Sequence, residues 1–336
     1  MRPRSRRQWT MRKREKLARP LAVAGAAVAA RPALAADSCL IGPPPHPAGP
    51  RVFADYDQID LDAAYDQNAY APLNAQIQAR RTANSKLVIA RLGEPLTVAY
   101  GPADVEKLDI HRAKRPHAPV FVFVHGGAWR AGTAREYAVY AEPFVNAGAT
   151  LVLPDFAGVT KAGGNLNVLA DQVRRAIAWA YRNAASYGGD PKRFYVGGHS
   201  SGGHLCGVAV TSDWSSFQGV PPDFIRGAVL MSGMYDLVPV ALSSRREYVN
   251  FDPATIDALS SQRHIDRLRA PIVVTYGTTE TPEFQRQNRE FAAAVKAAGK
   301  SVQLIEATSY NHFEMEESLG NPYGPNGRAS LALVGA

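Results

Sequence analysis

YVGGHSSGGH, residues 195–204, ends an apolar run in glycines, one histidine and two serines. Within it, Gly198-His199-Ser200-Ser201-Gly202 has the pattern Gly-x-Ser-x-Gly. Two readings compete: a Gly/Ser-rich turn, or a serine on a turn so tight that only glycine fits beside it. The flanks favour the second. A strand-like segment, FYVGG, precedes the serine, and a helix is expected from Ser201 onward. In a strand–turn–helix elbow the small residues Gly198 and Gly202 avoid clashes between strand and helix. Ser200 then stands at a helix N-terminus, where backbone N–H groups and the helix dipole favour a developing negative charge.

Outward from this stretch, strand-like and helix-like segments alternate without an internal repeat. PLTVAYG and EKLDIHR read as two early edge strands. PVFVFVHGG and ATLVLPDF are continuous apolar runs, as expected of strands buried on both faces. REYAVYAEPFVNAG between them has helical spacing. From Leu166, apolar residues recur at Leu169, Val173, Ala176, Ile177 and Ala180, one face of an amphipathic helix. GGDPKR reads as the turn out of it. Strands IRGAVLMSG, PIVVTYG and SVQLIEAT follow, with a helix over EFQRQNREFAAAVKAAGK before the last. This order predicts one α/β domain over residues 52–336, with a mostly parallel sheet and helices on both faces. The segment YDQIDLDAAYDQNAYAPLNAQIQARR before the sheet is expected to be helical and to cover the site or the sheet edge. Residues 238–269 read as a small helical lid.

Serine is a weak nucleophile unless a base takes its proton. His312, in SYNHFE after the final strand, can return to the carboxyl edge of the sheet and is the expected base. His199 and His204 flank the serine and are read as wall or packing residues. The base needs a carboxylate to fix its tautomer. Glu280 ranks first because it directly follows the penultimate strand; Asp236 ranks second and Glu283 third. HGGAW, residues 125–129, follows the buried strand VFVFV, and its glycines let backbone N–H groups turn toward one point. The amides of Gly126, Gly127 or Ala128, with that of Ser201, are the expected oxyanion hole. His125 is expected to brace that loop. Trp129, Phe156, Tyr235 and Phe313 flank the motifs and are expected, with His199, to wall a pocket for an aromatic group, Trp129 closing the acyl side.

The net charge of +8 is confined to the N-terminus: residues 1–35 hold ten Lys/Arg and one Glu, and the remainder 28 basic against 29 acidic residues. No basic patch is implied for the folded part, so nucleic acid is not an expected partner. Residues 1–36 read as an export signal, with a basic MRKREKLARP, a weakly apolar LAVAGAAVAA and an Ala33-Leu34-Ala35 cleavage pattern. SRRQW looks like a twin-arginine motif. The exported chain would be periplasmic or secreted, without a stable membrane anchor. Residues 37–51 read as a Pro-rich linker. Cys39 and Cys206 are the two cysteines; Cys206 is expected to be buried, and whether they pair is left open. No closely spaced ligand set suggests a metal, and no cofactor is expected.

The motifs HGGAWRAG, GHSSGGHL, SGMYDL, ETPEFQRQ and YNHFE resemble those of the α/β-hydrolases, over about residues 52–333, and within them the kynurenine formamidase (arylformamidase) branch. The resemblance implies an α/β-hydrolase fold with Ser200 as nucleophile, Glu280 in the acid position and His312 as base. It also implies a small aromatic acyl compound as substrate, cut through an acyl-enzyme. A secreted carboxylesterase with no formamidase role is the alternative, and a non-catalytic binding protein on the same scaffold is a distant third.

Overall fold

The computed structural model describes residues 42–335. Residues 1–36, read above as an export signal, and Cys39 lie outside them. Eight strands form one sheet: β1 (Leu96–Ala99), β2 (Lys107–His111), β3 (Ala118–Val124), β4 (Thr150–Pro154), β5 (Gly189–His199), β6 (Ala228–Met231), β7 (Ile272–Gly277) and β8 (Val302–Ala307). Their spatial order is β1-β2-β4-β3-β5-β6-β7-β8. β1 and β2 run antiparallel to their neighbours, and every pair from β4 to β8 is parallel. The helices are α1 (Gln58–Ala64), α2 (Asn74–Leu92), α3 (Ala141–Asn146), α4 (Leu166–Arg182), α5 (Ser201–Val210), α6 (Val238–Leu242), α7 (Pro253–Leu259), α8 (Pro282–Ala297), α9 (His312–Glu317) and α10 (Pro325–Val334).

The alternation of β-strand side chains divides the core into two layers. Val120, Val122, Val124, Val196 and Leu230 face the cluster built with α4, α5 and α8. Phe121, Phe123, Val229 and Met231 face the opposite cluster, with Phe144 of α3 and Val334 of α10. Helices therefore cover both faces, as the apolar runs of β3 and β4 require.

Two local expectations change. GGDPKR is no simple turn: Ala118 pairs with Gly189 while Val120 pairs with Phe194, so residues 190–193 are looped out as a wide irregularity within β5. The chain reversal lies just before it, at Gly188 with φ 85°. REYAVYAEPFVNAG is also broken, into a 3-10 segment Ala134–Tyr140 and the short α3. Among the described residues no helix is long and apolar enough to cross a membrane.

Candidate active site

Four loops leave the carboxyl edge of the sheet beside one another: after β3, β5, β7 and β8. In an open α/β sheet this edge is where ligands bind. The loop after β5 is the elbow. Ser200 is the N-cap of α5 with φ 58° and ψ −123°, a conformation that a non-glycine residue holds only under constraint. The constraint is visible: the Ser200 N–H donates to Met231 O at 2.9 Å, and β6 thereby grips the turn. Gly202 has no freedom to be anything larger, since a Cβ there would sit 2.1 Å from Val124 O.

The loop after β3 folds back over this serine. Gly127 has φ 112°, and Ala128 and Trp129 are also left-handed. These turns leave the amides of Gly127, Ala128 and Ser201 with no acceptor in the chain among the described residues. Free N–H groups beside a strained serine are what an oxyanion hole needs. A Cβ on Gly126 would lie 3.2 Å from Ser200 Cβ, so that loop approaches the serine closely. His125 is buried between the stacked rings of Tyr137 and Phe156 and hydrogen-bonds Gly126 O at 2.8 Å, bracing the loop as expected.

His312 is the first residue of α9. Asn311 caps that helix, accepting from the Phe313 and Glu314 amides, while Glu314 accepts from the Asn311 N–H. The pattern Asn-x-x-Glu was a legible capping signal. His312 Nδ1 lies 2.7 Å from Glu280 Oε2. Glu280 Oε1 accepts from Ser232 Oγ at 2.6 Å and from the Gly277 N–H at 2.7 Å. Burial pushes the Glu280 carboxyl up, but His312 and these donors prevail and hold it below the usual carboxylate range. Burial first, and then neighbouring His199, press the His312 pKa below its ordinary value against the pull of Glu280. Asp236 instead accepts from the Val238 N–H, and Glu283 is buried against Arg286 and the Tyr65 hydroxyl. Of the three acids, only Glu280 touches His312.

Ser200, His199, His312, Phe313, Gly127 and Ala128 line one cavity of about 520 Å³. Its outer walls come from the two helical segments expected to cover the site: Tyr65, Gln78 and Arg81 before the sheet, and Ser244, Arg245 and Tyr248 within residues 238–269. The segments are tied together by the Arg245 Nη2 bond to Tyr65 O (3.0 Å) and the Ser244 N–H bond to Asp62 (2.6 Å).

The expected aromatic pocket needs correction. Trp129 is 1% exposed and turned away from the cavity, its Nε1 donating to His204 Nδ1 at 3.2 Å. Tyr235 is fully buried, stacked on Phe291 at 4.1 Å, and Phe156 is taken up by His125. Their apolar area is spent in the core. The cavity rings are Tyr65, Tyr137, Tyr248 and Phe313. A second acid–histidine contact also stands in this cavity: His199 Nδ1 lies 3.3 Å from Glu316 Oε1, and Arg81 Nη1 donates to Glu316 Oε2 at 2.6 Å. Glu316 follows His312 by one helical turn, a spacing that could have flagged it.

Cys206 has no disulfide partner among the described residues; its buried thiol donates to Gly197 O at 3.0 Å. His46, Asp57 and Asp60 come together near the start of α1, where a cation could be imagined. Asp57 is already engaged as the α1 cap, accepting from Asp60 and Gly49 amides. None of the three lines the cavity.

Comparison with known proteins agrees with this architecture. The BD-FAE family model matches residues 108–229. Kynurenine formamidase of Danio rerio is 29% identical over 231 residues, covering 67% of this chain and 76% of that protein. Esterase LipQ of Mycobacterium tuberculosis is 28% identical over 240 residues, covering 64% of this chain and 56% of that protein. Among solved structures, a protein of Silicibacter sp. tm1040 provisionally described as a thioesterase aligns with TM-score 0.72 at 25% identity, over 82% of this chain and 99% of that one. Esterase Est2 of Thermogutta terrifontis aligns with TM-score 0.58 at 22% identity, over 73% and 93% of the two chains, and speaks for the fold alone. The chain has an α/β-hydrolase fold and is similar in sequence to kynurenine formamidases and to esterases.

Proposed function

We propose that the protein is a serine hydrolase that removes short acyl groups from aromatic leaving groups through an acyl-enzyme. The observation that carries this reading is the strained Ser200 sharing a cavity with a His312 held at 2.7 Å by a buried carboxylate. In this scheme His312 takes the Ser200 proton as Oγ attacks the acyl carbon, and Glu280 balances the imidazolium. The amides of Ser201 and of Gly127 or Ala128 receive the oxyanion. Proton return from His312 expels the amine or phenol, and water then attacks the acyl-enzyme by the same route.

The likeness to kynurenine formamidases supports a formyl or other short acyl group. Trp129 gives no support, because it does not face the cavity. The rings of Tyr65, Tyr137, Tyr248 and Phe313 suit a flat leaving group. Likeness to esterases favours a second reading, a carboxylesterase without formamidase action. The deciding measurement is kcat/KM for N-formylkynurenine beside p-nitrophenyl acetate, with Ser200→Ala as control and a fluorophosphonate probe to label the nucleophile. Formamide turnover well above the ester background supports the first reading; ester turnover alone selects the second; label on a residue other than Ser200 rejects both. Export, proposed from residues 1–36, is tested by N-terminal sequencing of the native protein. A mature chain still carrying MRKREK rejects it.

A further inference from the structure

One wall of the cavity carries charge that acyl transfer does not use. Arg245 is 7% exposed, yet its side chain lines the cavity with Ser200 and His312. Its Nη1 donates to the Tyr248 hydroxyl at 3.1 Å and its Nη2 to Tyr65 O at 3.0 Å. Both acceptors are neutral. The Nε–H is buried with no acceptor at all. Each Nη keeps a second hydrogen, because a guanidinium has five donors in a fixed fork.

The contrast with the other cavity arginines is informative. Arg81 is balanced by Glu316 at 2.6 Å, whereas among the described residues neither Arg245 nor Arg130 has an ion-pair partner. Arg130, on the exposed end of the HGGAWR loop, lies 4.3 Å over the Tyr248 ring. That same tyrosine takes the Arg245 hydrogen bond, so two unpaired cations bracket one ring. Burying a charge without a counter-ion is costly, and a planar guanidinium is the group best matched to a carboxylate. Two carboxylates, Asp66 and Glu247, also line the cavity, and both are exposed at its rim. They would oppose a dianion and tolerate a single charge.

We propose that this wall is a carboxylate subsite: the substrate is an aryl ester or formamide whose leaving group bears a carboxylate, received by Arg245 with Arg130 as the outer cation. This rests on the hydrolase reading and adds the substrate's charge to it. The matched pair 4-acetoxybenzoate and 4-acetoxybenzamide differs by one charge at constant shape. The wild-type protein should favour the benzoate about ten- to a hundredfold in kcat/KM, the range of a charged hydrogen bond. Arg245→Met should bring that ratio near one, and Arg130→Gln should lower it several-fold. If Arg245→Met does not fold, Arg245→Lys keeps the charge without the fork and should still lose most of the ratio. A wild-type ratio of one or less, or an unchanged ratio in the folded Arg245 variant, overturns the proposal. If neither ester is cleaved, the hydrolase reading fails, and calorimetry on Ser200→Ala still tests the subsite. Benzoate binding at least tenfold tighter than benzamide supports it; equal binding refutes it.

Discussion

Three buried histidines surround the elbow, and their partners differ more than their positions do. His312 meets Glu280, whose other bonds come from a hydroxyl and a backbone amide. His199, whose ring centre is 4.4 Å from that of His312, meets Glu316, whose charge is already committed to Arg81. His204 meets no acid: it accepts from Trp129 and hydrogen-bonds Leu259 O. A carboxylate with only neutral donors can stabilise an imidazolium that forms during turnover. One already neutralised by a guanidinium has less to offer, and a histidine without an acid has no means of holding a proton in the core. The difference teaches that a general base is identified by the unspent charge behind it.

Exchange of the two neighbouring histidines is the severest test. His312→Ala should lower kcat by about four to six orders of magnitude, as should Ser200→Ala, because members of such a unit fail together. His199→Ala should cost no more than about a hundredfold. Equal losses at the two histidines would collapse the distinction. The acids should separate next. Glu280→Gln should cost about three to four orders in kcat with little change in KM. Glu316→Gln should lower kcat by roughly tenfold or less, yet destabilise the fold by about 3–5 kcal/mol, because Arg81 is left buried without its anion. Denaturant titration beside steady-state kinetics reads both effects, and the reverse order would move the acid to Glu316.

What the sequence discloses about this arrangement follows the length scale of each signal. The sheet is legible because each central strand contains a short apolar run, most of them closed by glycine, and the elbow because its glycines answer to contacts within a few residues. Glu280 is only ranked above Asp236 and Glu283, since its selection depends on the Ser232 hydroxyl after β6 and on His312 of α9, both distant in sequence. The Arg81–Glu316 pair joins residues 235 apart, and no local pattern announces it. Trp129 misleads for the opposite reason. Its place in the HGGAW loop suggests a pocket wall, but a left-handed backbone at φ 61° turns the ring into the core.

The pH profile sharpens the comparison at intermediate size. His312 must be neutral to accept a proton, and burial with His199 beside it favours the neutral form. The acid limb of kcat/KM should therefore have its midpoint below 6.5, with activity retained as pH falls past that value and lost only as pH falls through the depressed pKa. His199→Asn removes one of the groups that press it down, so the midpoint should move upward. A shift downward, or a wild-type midpoint above 6.5, would mean that Glu280 dominates and that His199 has no electrostatic part.

The smallest effect is expected at the histidine without an acid. Trp129 Nε1 can only donate, so His204 Nδ1 accepts and its proton resides on Nε2, which donates to Leu259 O at 3.0 Å. Burial pushes the His204 pKa down to about 4, consistent with a neutral ring serving as a clasp between the HGGAW loop and α5. Trp129→Phe keeps most of the buried ring but leaves His204 Nδ1 without a donor. The cost should be about 1–3 kcal/mol of stability, that of one unsatisfied buried acceptor. Catalysis should change little, and the kcat/KM profile from p-nitrophenyl acetate to octanoate should keep its wild-type shape. A ring that closed the acyl side would give the opposite result: Phe is smaller than Trp, and the optimum would move to longer chains. Because Trp129 makes its contacts to His204 and the Arg245 guanidinium, 5.4 Å from the ring, any change in substrate preference should appear in the benzoate-to-benzamide ratio and leave acyl length alone.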